Sequence, residues 1–125
     1  MPERIITEEY LRSHPNEVFV FGDNLLHMGL GGAAALRNVP NTYGFLTKRY
    51  PDSVDSSFYS IEDYIGVYNT EIARLKHTMK SLPNIIFLIS KLGAGLANRY
   101  HIFEEIIEPN IKDDLKEFKK VVFLW

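Results

Sequence analysis

Apolar residues along this chain fall into two kinds of run. Residues 17–21 (Glu-Val-Phe-Val-Phe) and 85–90 (Ile-Ile-Phe-Leu-Ile-Ser) are nearly continuous and rich in β-branched and aromatic side chains. That pattern predicts strands covered on both faces. Residues 43–47 and 121–125 predict two more strands. The second kind of run has helical spacing. Ile61, Tyr64, Ile65, Tyr68, Ile72, Leu75, Met79 and Leu82 form one stripe along a helix predicted over 60–82. Ser60 with Asp63 resembles a capping box at its start, and Pro83-Asn84 stops it. Shorter helices are predicted at 7–13, with Thr7 as N-cap, and at 31–38. Two more are predicted at 100–108 and 111–119, interrupted at Pro109.

Strands alternating with helices favour a compact three-layer α/β/α fold with a mainly parallel or mixed central sheet. The whole chain, 1–125, reads as one domain of this kind. In such a sheet the strand C-terminal ends share a rim where ligands sit. The segments 22–32, 47–49 and 91–98 all fall on that rim.

Two of these segments carry glycine-bearing turns: Phe21-Gly-Asp-Asn24, running on to Gly29-Leu-Gly-Gly-Ala33, and Lys91-Leu-Gly-Ala-Gly-Leu96. A strand that ends in glycines and feeds a helix leaves N–H groups beside the positive end of a helix dipole, which suits phosphate. Two such turns suggest a ligand with more than one anionic or polar group, such as a nucleotide diphosphate. Gly22, Gly29, Gly31, Gly32 and Ala33 would bring backbone close to it, as would Gly93, Ala94, Gly95 and Leu96. Tight packing of connections against the sheet selects the same small residues. Asp23 and Asn24 would bond ribose hydroxyls, with Asp23 as a base, or else form an Asx turn. Lys48 and Lys91 fall at predicted strand ends, where they would neutralise phosphate or serve as a nucleophile on a sugar carbonyl. Arg37 and Arg49 carry similar charge. His27 is a loop residue near the same turn, and Phe45, Tyr50, Phe58 and Tyr59 either stack on a base or fill the core.

Composition removes other classes. There is no cysteine, hence no disulfide, thiolate nucleophile or zinc–sulfur site. The four histidines are scattered without H-E-x-x-H spacing, so no metal is expected. A net charge of −2 disfavours bulk nucleic-acid binding. The start of the chain, Met-Pro-Glu-Arg-Ile-Ile, lacks the features of a secretory signal, and no apolar run reaches the roughly 18 residues needed to cross a bilayer. These features predict a cytoplasmic protein, in the host's cytoplasm if the gene is viral. There is no Walker lysine, nucleophile elbow or dinucleotide fingerprint.

The two glycine motifs resemble those of macrodomains, the α/β modules that bind ADP-ribose. Asn24 is followed five residues later by Gly29-Leu-Gly-Gly-Ala-Ala, and a buried strand runs into Leu92-Gly-Ala-Gly-Leu96. The wider string Phe-Gly-Asp-Asn, Gly-x-Gly-Gly-x-Ala, Pro40-Asn41 and Thr47-Lys-Arg49 looks like a group of small, poorly characterised bacterial and phage proteins. The macrodomain resemblance implies that Asn24 contacts the distal ribose, while Gly29 to Ala33 and Gly93 to Leu96 hold the diphosphate and outer ribose. Leu30 interrupts the glycine run, Ala94 stands for the usual small hydroxyl residue, and the adenine-recognising acid has no clear counterpart. The function implied is binding of ADP-ribose or a related nucleotide, without a further cofactor. Hydrolysis of an ADP-ribosyl linkage or terminal phosphate would use Asp23, Asn24 and Lys48. The alternatives are a non-catalytic sequestering module and a structural or interaction protein.

Overall fold

A computed structural model describes residues 5–125, so the signal-peptide reading at Met1 to Arg4 lies outside the described residues. The fold is α/β. Strands β1 (Glu17–Asp23), β2 (Thr42–Leu46), β3 (Ile86–Ile89) and β4 (Val121–Phe123) form one sheet in the order β2-β1-β3-β4. All three pairings are parallel, so among the described residues the sheet has no antiparallel member. The chain leaves β1 for β2 on one side, and β3 and β4 lie on the other. The sheet order therefore reverses between β1 and β3, and a crevice opens there beyond their C-terminal ends.

Alternation along β1 divides the core between the two faces. Phe19 and Phe21 pack with Leu88, Leu124, Ala34 and Leu11, the last from helix α1 (Glu8–Ser13). Val20 faces the opposite side with Phe45, Phe87 and Ile89. Helix α2 (Ile61–Ser81) covers that side with Tyr64, Tyr68, Ile72, Leu75 and Met79. Helix α3 (Glu108–Asp114) lies beside α2, joined to it by a 2.7 Å hydrogen bond from the Tyr68 hydroxyl to Asp114. Thr7 and Ser60 cap α1 and α2, as their positions predict.

Helix α2 also satisfies the outer edge of β2. The buried carboxylate of Glu71 accepts the Leu46 amide at 2.7 Å and is paired with Arg74 at 2.8 Å. Arg74 donates in turn to the Gly44 carbonyl, and the Tyr64 hydroxyl donates to the Leu46 carbonyl.

Four expectations are corrected. The Ala-rich stretch 31–38 makes only a five-residue 3-10 turn, Gly32–Leu36. Glycines at its start give it poor helical propensity, and Gly32 has a φ of 57°, outside the helical region. Pro109 does not separate two helices. A π-helical segment, Phe103–Ile107, runs directly into α3 through it. The Glu108 amide reaches back to the Phe103 carbonyl, a wider turn that accommodates the missing proline N–H. Asn110 Nδ2 covers the Ile106 carbonyl at 2.8 Å. The helix ends at Asp114 rather than near 119, and the α2 stripe is narrower than its sequence, with Ile65 and Leu82 exposed.

Among the described residues, no helix is long and apolar enough to cross a membrane. No group of three or more His, Asp or Glu side chains among them could hold a metal ion.

Candidate functional site

The strand ends that flank the sheet's reversal point open into a cleft of about 400 Å³. Its walls come from three separated segments. The β1 loop supplies Gly22, Asp23, Asn24, Gly29, Gly31, Gly32 and Ala33, and the β2 end supplies Thr47 and Lys48. The β3 loop supplies Ser90, Lys91, Gly93, Ala94, Gly95 and Leu96. The glycine loops touch: a Cβ at Gly31 would lie 2.8 Å from Leu96 Cδ1. The glycine-loop residues, Asp23, Asn24, Lys48 and Lys91 expected from the sequence to meet a ligand line one cavity, whereas His27, Arg49, Phe45, Tyr50, Phe58 and Tyr59 do not line it.

Neither loop opens onto an α-helix. A 3-10 turn follows the first, and irregular turns separate the second from the π segment. No α-helix dipole therefore points at either glycine loop, contrary to the expectation from sequence. Loop amides remain. Among the described residues, the N–H groups of Gly31, Gly32, Ala33, Gly93, Gly95 and Leu96 have no backbone or side-chain acceptor outside regular elements. By contrast, Ala34 donates to the Gly31 carbonyl and Ala94 to the Lys91 carbonyl, which fixes the course of each loop.

Asp23 is the hub of the first loop. Its side chain is 4 % exposed, on the sheet face of Phe21. Oδ1 accepts Arg37 Nη1 at 2.6 Å and the Asn24 amide at 2.8 Å, while Oδ2 accepts His27 Nδ1 at 2.7 Å. Burial alone would raise its pKa, but the hydrogen bonds from His27, Arg37 and the Asn24 amide outweigh it and hold the carboxyl below the ordinary range. Arg37 stacks over Phe21 and donates to the carbonyls of Gly29 and Met28. Its charge thus ties the glycine loop to β1 and is matched inside the protein.

Asn24 is buried and spent on its own loop. Its amide nitrogen donates to the Met28 carbonyl at 2.7 Å, and its Oδ1 accepts the Leu26 amide at 3.0 Å. This is the Asx-type arrangement the sequence allowed as an alternative to ligand contact. Arg49 is structural too: its guanidinium bonds the Ser56 and Phe58 carbonyls and pairs with Asp63 at 2.9 Å.

Lys48 and Lys91 differ from both arginines. Among the described residues, neither has a carboxylate within ion-pair distance. Lys48 lies 4.6 Å over the Phe58 ring and Lys91 5.3 Å over that of Phe103. Both line the cleft from opposite loops. Of the aromatics, Phe45, Phe58 and Tyr59 are buried and Tyr50 is exposed.

Three features escaped the sequence reading. The Arg37–Asp23 pair spans 14 positions and leaves no local signature. Ser90, a largely buried residue, also lines the cleft, and its position after an apolar strand was the only signal. His27 is bonded to Asp23 four residues away, a spacing unremarkable outside a helix.

The fold and cleft define a small α/β protein with a ligand-sized cavity at the reversal point of a parallel sheet. Residues 1–101 match a family of unknown function (DUF7831), and the chain belongs to that family. No curated protein and no solved structure matches the chain.

Proposed function

We propose that the cleft binds a nucleotide carrying more than one anionic group, ADP-ribose or a related derivative. The observation that carries this reading is the convergence of unengaged loop amides with two cations, Lys48 and Lys91, around one cavity. Oriented N–H groups favour phosphate oxygens, and flanking ammonium groups add charge complementarity. About 400 Å³ lies within the usual range for small-molecule sites. The macrodomain-like motifs supply the nucleotide in this reading. The same reading puts the protein in the cytoplasm.

If the ligand is hydrolysed, Asp23 and Asn24 act by holding the loop, and Lys48 stabilises developing negative charge. A non-catalytic sequestering module is the second reading. The internal bonding of Asp23 and Asn24 favours it, because turnover then requires a base from another residue.

Thermal unfolding with millimolar ADP-ribose tests the binding. A ligand that binds only the folded state raises Tm by mass action. A concentration-dependent rise supports the reading, and no rise with ADP-ribose or its 1″-phosphate overturns it.

A further inference from the structure

The two edges of the sheet differ. On β2 the outward groups of Gly44 and Leu46 are met by side chains of α2. On β4 the outward groups are bare. The Lys120 carbonyl and the Leu124 amide bond to β3, so strand alternation turns the N–H and C=O of Val121 and Phe123 away from the sheet. Among the described residues, these groups have no backbone partner outside the sheet. The run from Val121 to Trp125 also carries no proline or charge that would discourage pairing.

An antiparallel second copy fits these groups about a two-fold axis at Val122. Val121 then exchanges both of its hydrogen bonds with the second copy's Phe123, and Phe123 with the second copy's Val121. Val122, 37 % exposed, meets the second copy's Val122 in a non-hydrogen-bonded pair, where side chains come closest. The same register sets the second copy's Trp125 opposite Lys119. Trp125 lies with Val121 and Phe123 on the face that α2 covers. On that face, beside Lys119, opens a cavity of about 320 Å³ lined by Met79, Leu82, Phe87, Phe118 and Val121. An indole entering it buries apolar surface and packs against the lysine.

Charge selects the antiparallel sense. Parallel pairing would set Lys119 and Lys120 of both copies side by side. The two-fold axis instead holds the two Lys120 residues about 14 Å apart along the strands. That exceeds the screening length of about 8 Å at physiological salt.

We propose that the edge of β4 is a homodimer interface, joining two four-stranded sheets into one continuous sheet. No β4 residue lines the strand-end cleft, and strand directions are opposed across the axis. The two clefts therefore open at opposite ends of the joined sheet, and the pairing is independent of what they bind.

Sedimentation equilibrium from micromolar to millimolar protein tests the pairing, with circular dichroism to check folding. Wild-type protein is expected to reach twice the chain mass. Val122→Lys sets like charges against each other at the axis and is expected to raise the dimer Kd about 100-fold. Mixing it with Val122→Glu is expected to restore the two-chain species, because opposite charges then meet. A mixture that stays monomeric, or a Val122→Lys protein as dimeric as wild type, overturns the proposal. If Val122→Lys does not fold, hydrogen exchange of the wild type decides. The Val121 and Phe123 amides are expected to gain protection as concentration rises, and constant exchange overturns the interface. Wild-type protein that is monomeric at every concentration also overturns it, leaving this edge to an extended segment of a different protein.

Discussion

The Asp23 carboxylate lies across Gly44 on the neighbouring strand, so closely that a Cβ at Gly44 would meet Oδ2 at 2.3 Å. The two positions share a sheet face, because Phe21 pairs with Gly44 and Asp23 with Leu46. The absence of a side chain on β2 is thus what admits the hub of the cleft. Gly44→Ala is expected to displace Asp23 and cost about 2 kcal/mol, in the range of core overpacking. Urea unfolding would measure it, and a change of a few tenths of a kcal/mol would show that the carboxylate moves aside freely.

Asp23 links the loop to pH. Its folded-state carboxyl lies below the ordinary value, so the stability it contributes is present above the unfolded pKa of about 3.9. That contribution is lost as pH falls through the lower, folded value. Asp23→Asn is expected to cost about 3 kcal/mol at pH 7, because Arg37 loses its buried partner. The gap between variant and wild type should narrow as the medium is acidified below pH ~4. Equal gaps at both pH values would dissociate the carboxylate from acid unfolding.

Gly95 offers the opposite case to Gly44. It is exposed, lines the cleft, and has no atom within 4 Å of where its Cβ would stand. Gly95→Trp is therefore expected to leave Tm within a degree or two of wild type, as for surface substitutions. The indole would occupy the cavity and abolish the ADP-ribose-induced shift. Retained binding would move the site elsewhere.

Lys48 and Lys91 should act by charge. Truncating either to Ala is expected to weaken nucleotide binding about tenfold, the equivalent of roughly 1.4 kcal/mol per charge-assisted contact. Each truncation should also flatten the dependence of affinity on salt. Calorimetric titrations at two salt concentrations would show this, and unchanged affinity in both variants would remove phosphate from the site.

The edge clamp is testable without a ligand. Glu71→Ala leaves the Leu46 amide and Arg74 without their shared acceptor. A loss of about 2 kcal/mol is expected from the unmet groups. Stability unchanged in chemical denaturation would show that water replaces the carboxylate at no cost.

Local periodicity made much of this fold legible. The strands at 17–21 and 85–90 and the helix α2 carry patterns that only one kind of element can bury. Parallel pairing then brought the two glycine loops to one rim. What failed was local chemistry that depends on tertiary partners. The π turn before Pro109 reads as a break because a proline removes an α-helical bond in any isolated segment. The turn after Gly31 reads as a helix because its run of alanines favours one, while the positive φ of Gly32 that prevents it leaves no mark in the sequence. Within the cleft, the positions of Asp23 and Asn24 were legible, but their partners were not. Arg37 reaches Asp23 only after the loop has folded back over Phe21.

The polar side chains that α2 lays along β2 have a consequence for how this molecule meets its neighbours. An outermost strand is ordinarily a template for any passing extended chain. Here Glu71, Arg74 and Tyr64 already occupy bonding positions at Gly44 and Leu46 that an incoming strand would need. Growth of the sheet past β2 would first have to pry a helix off the protein, which guards this flank against runaway polymerisation.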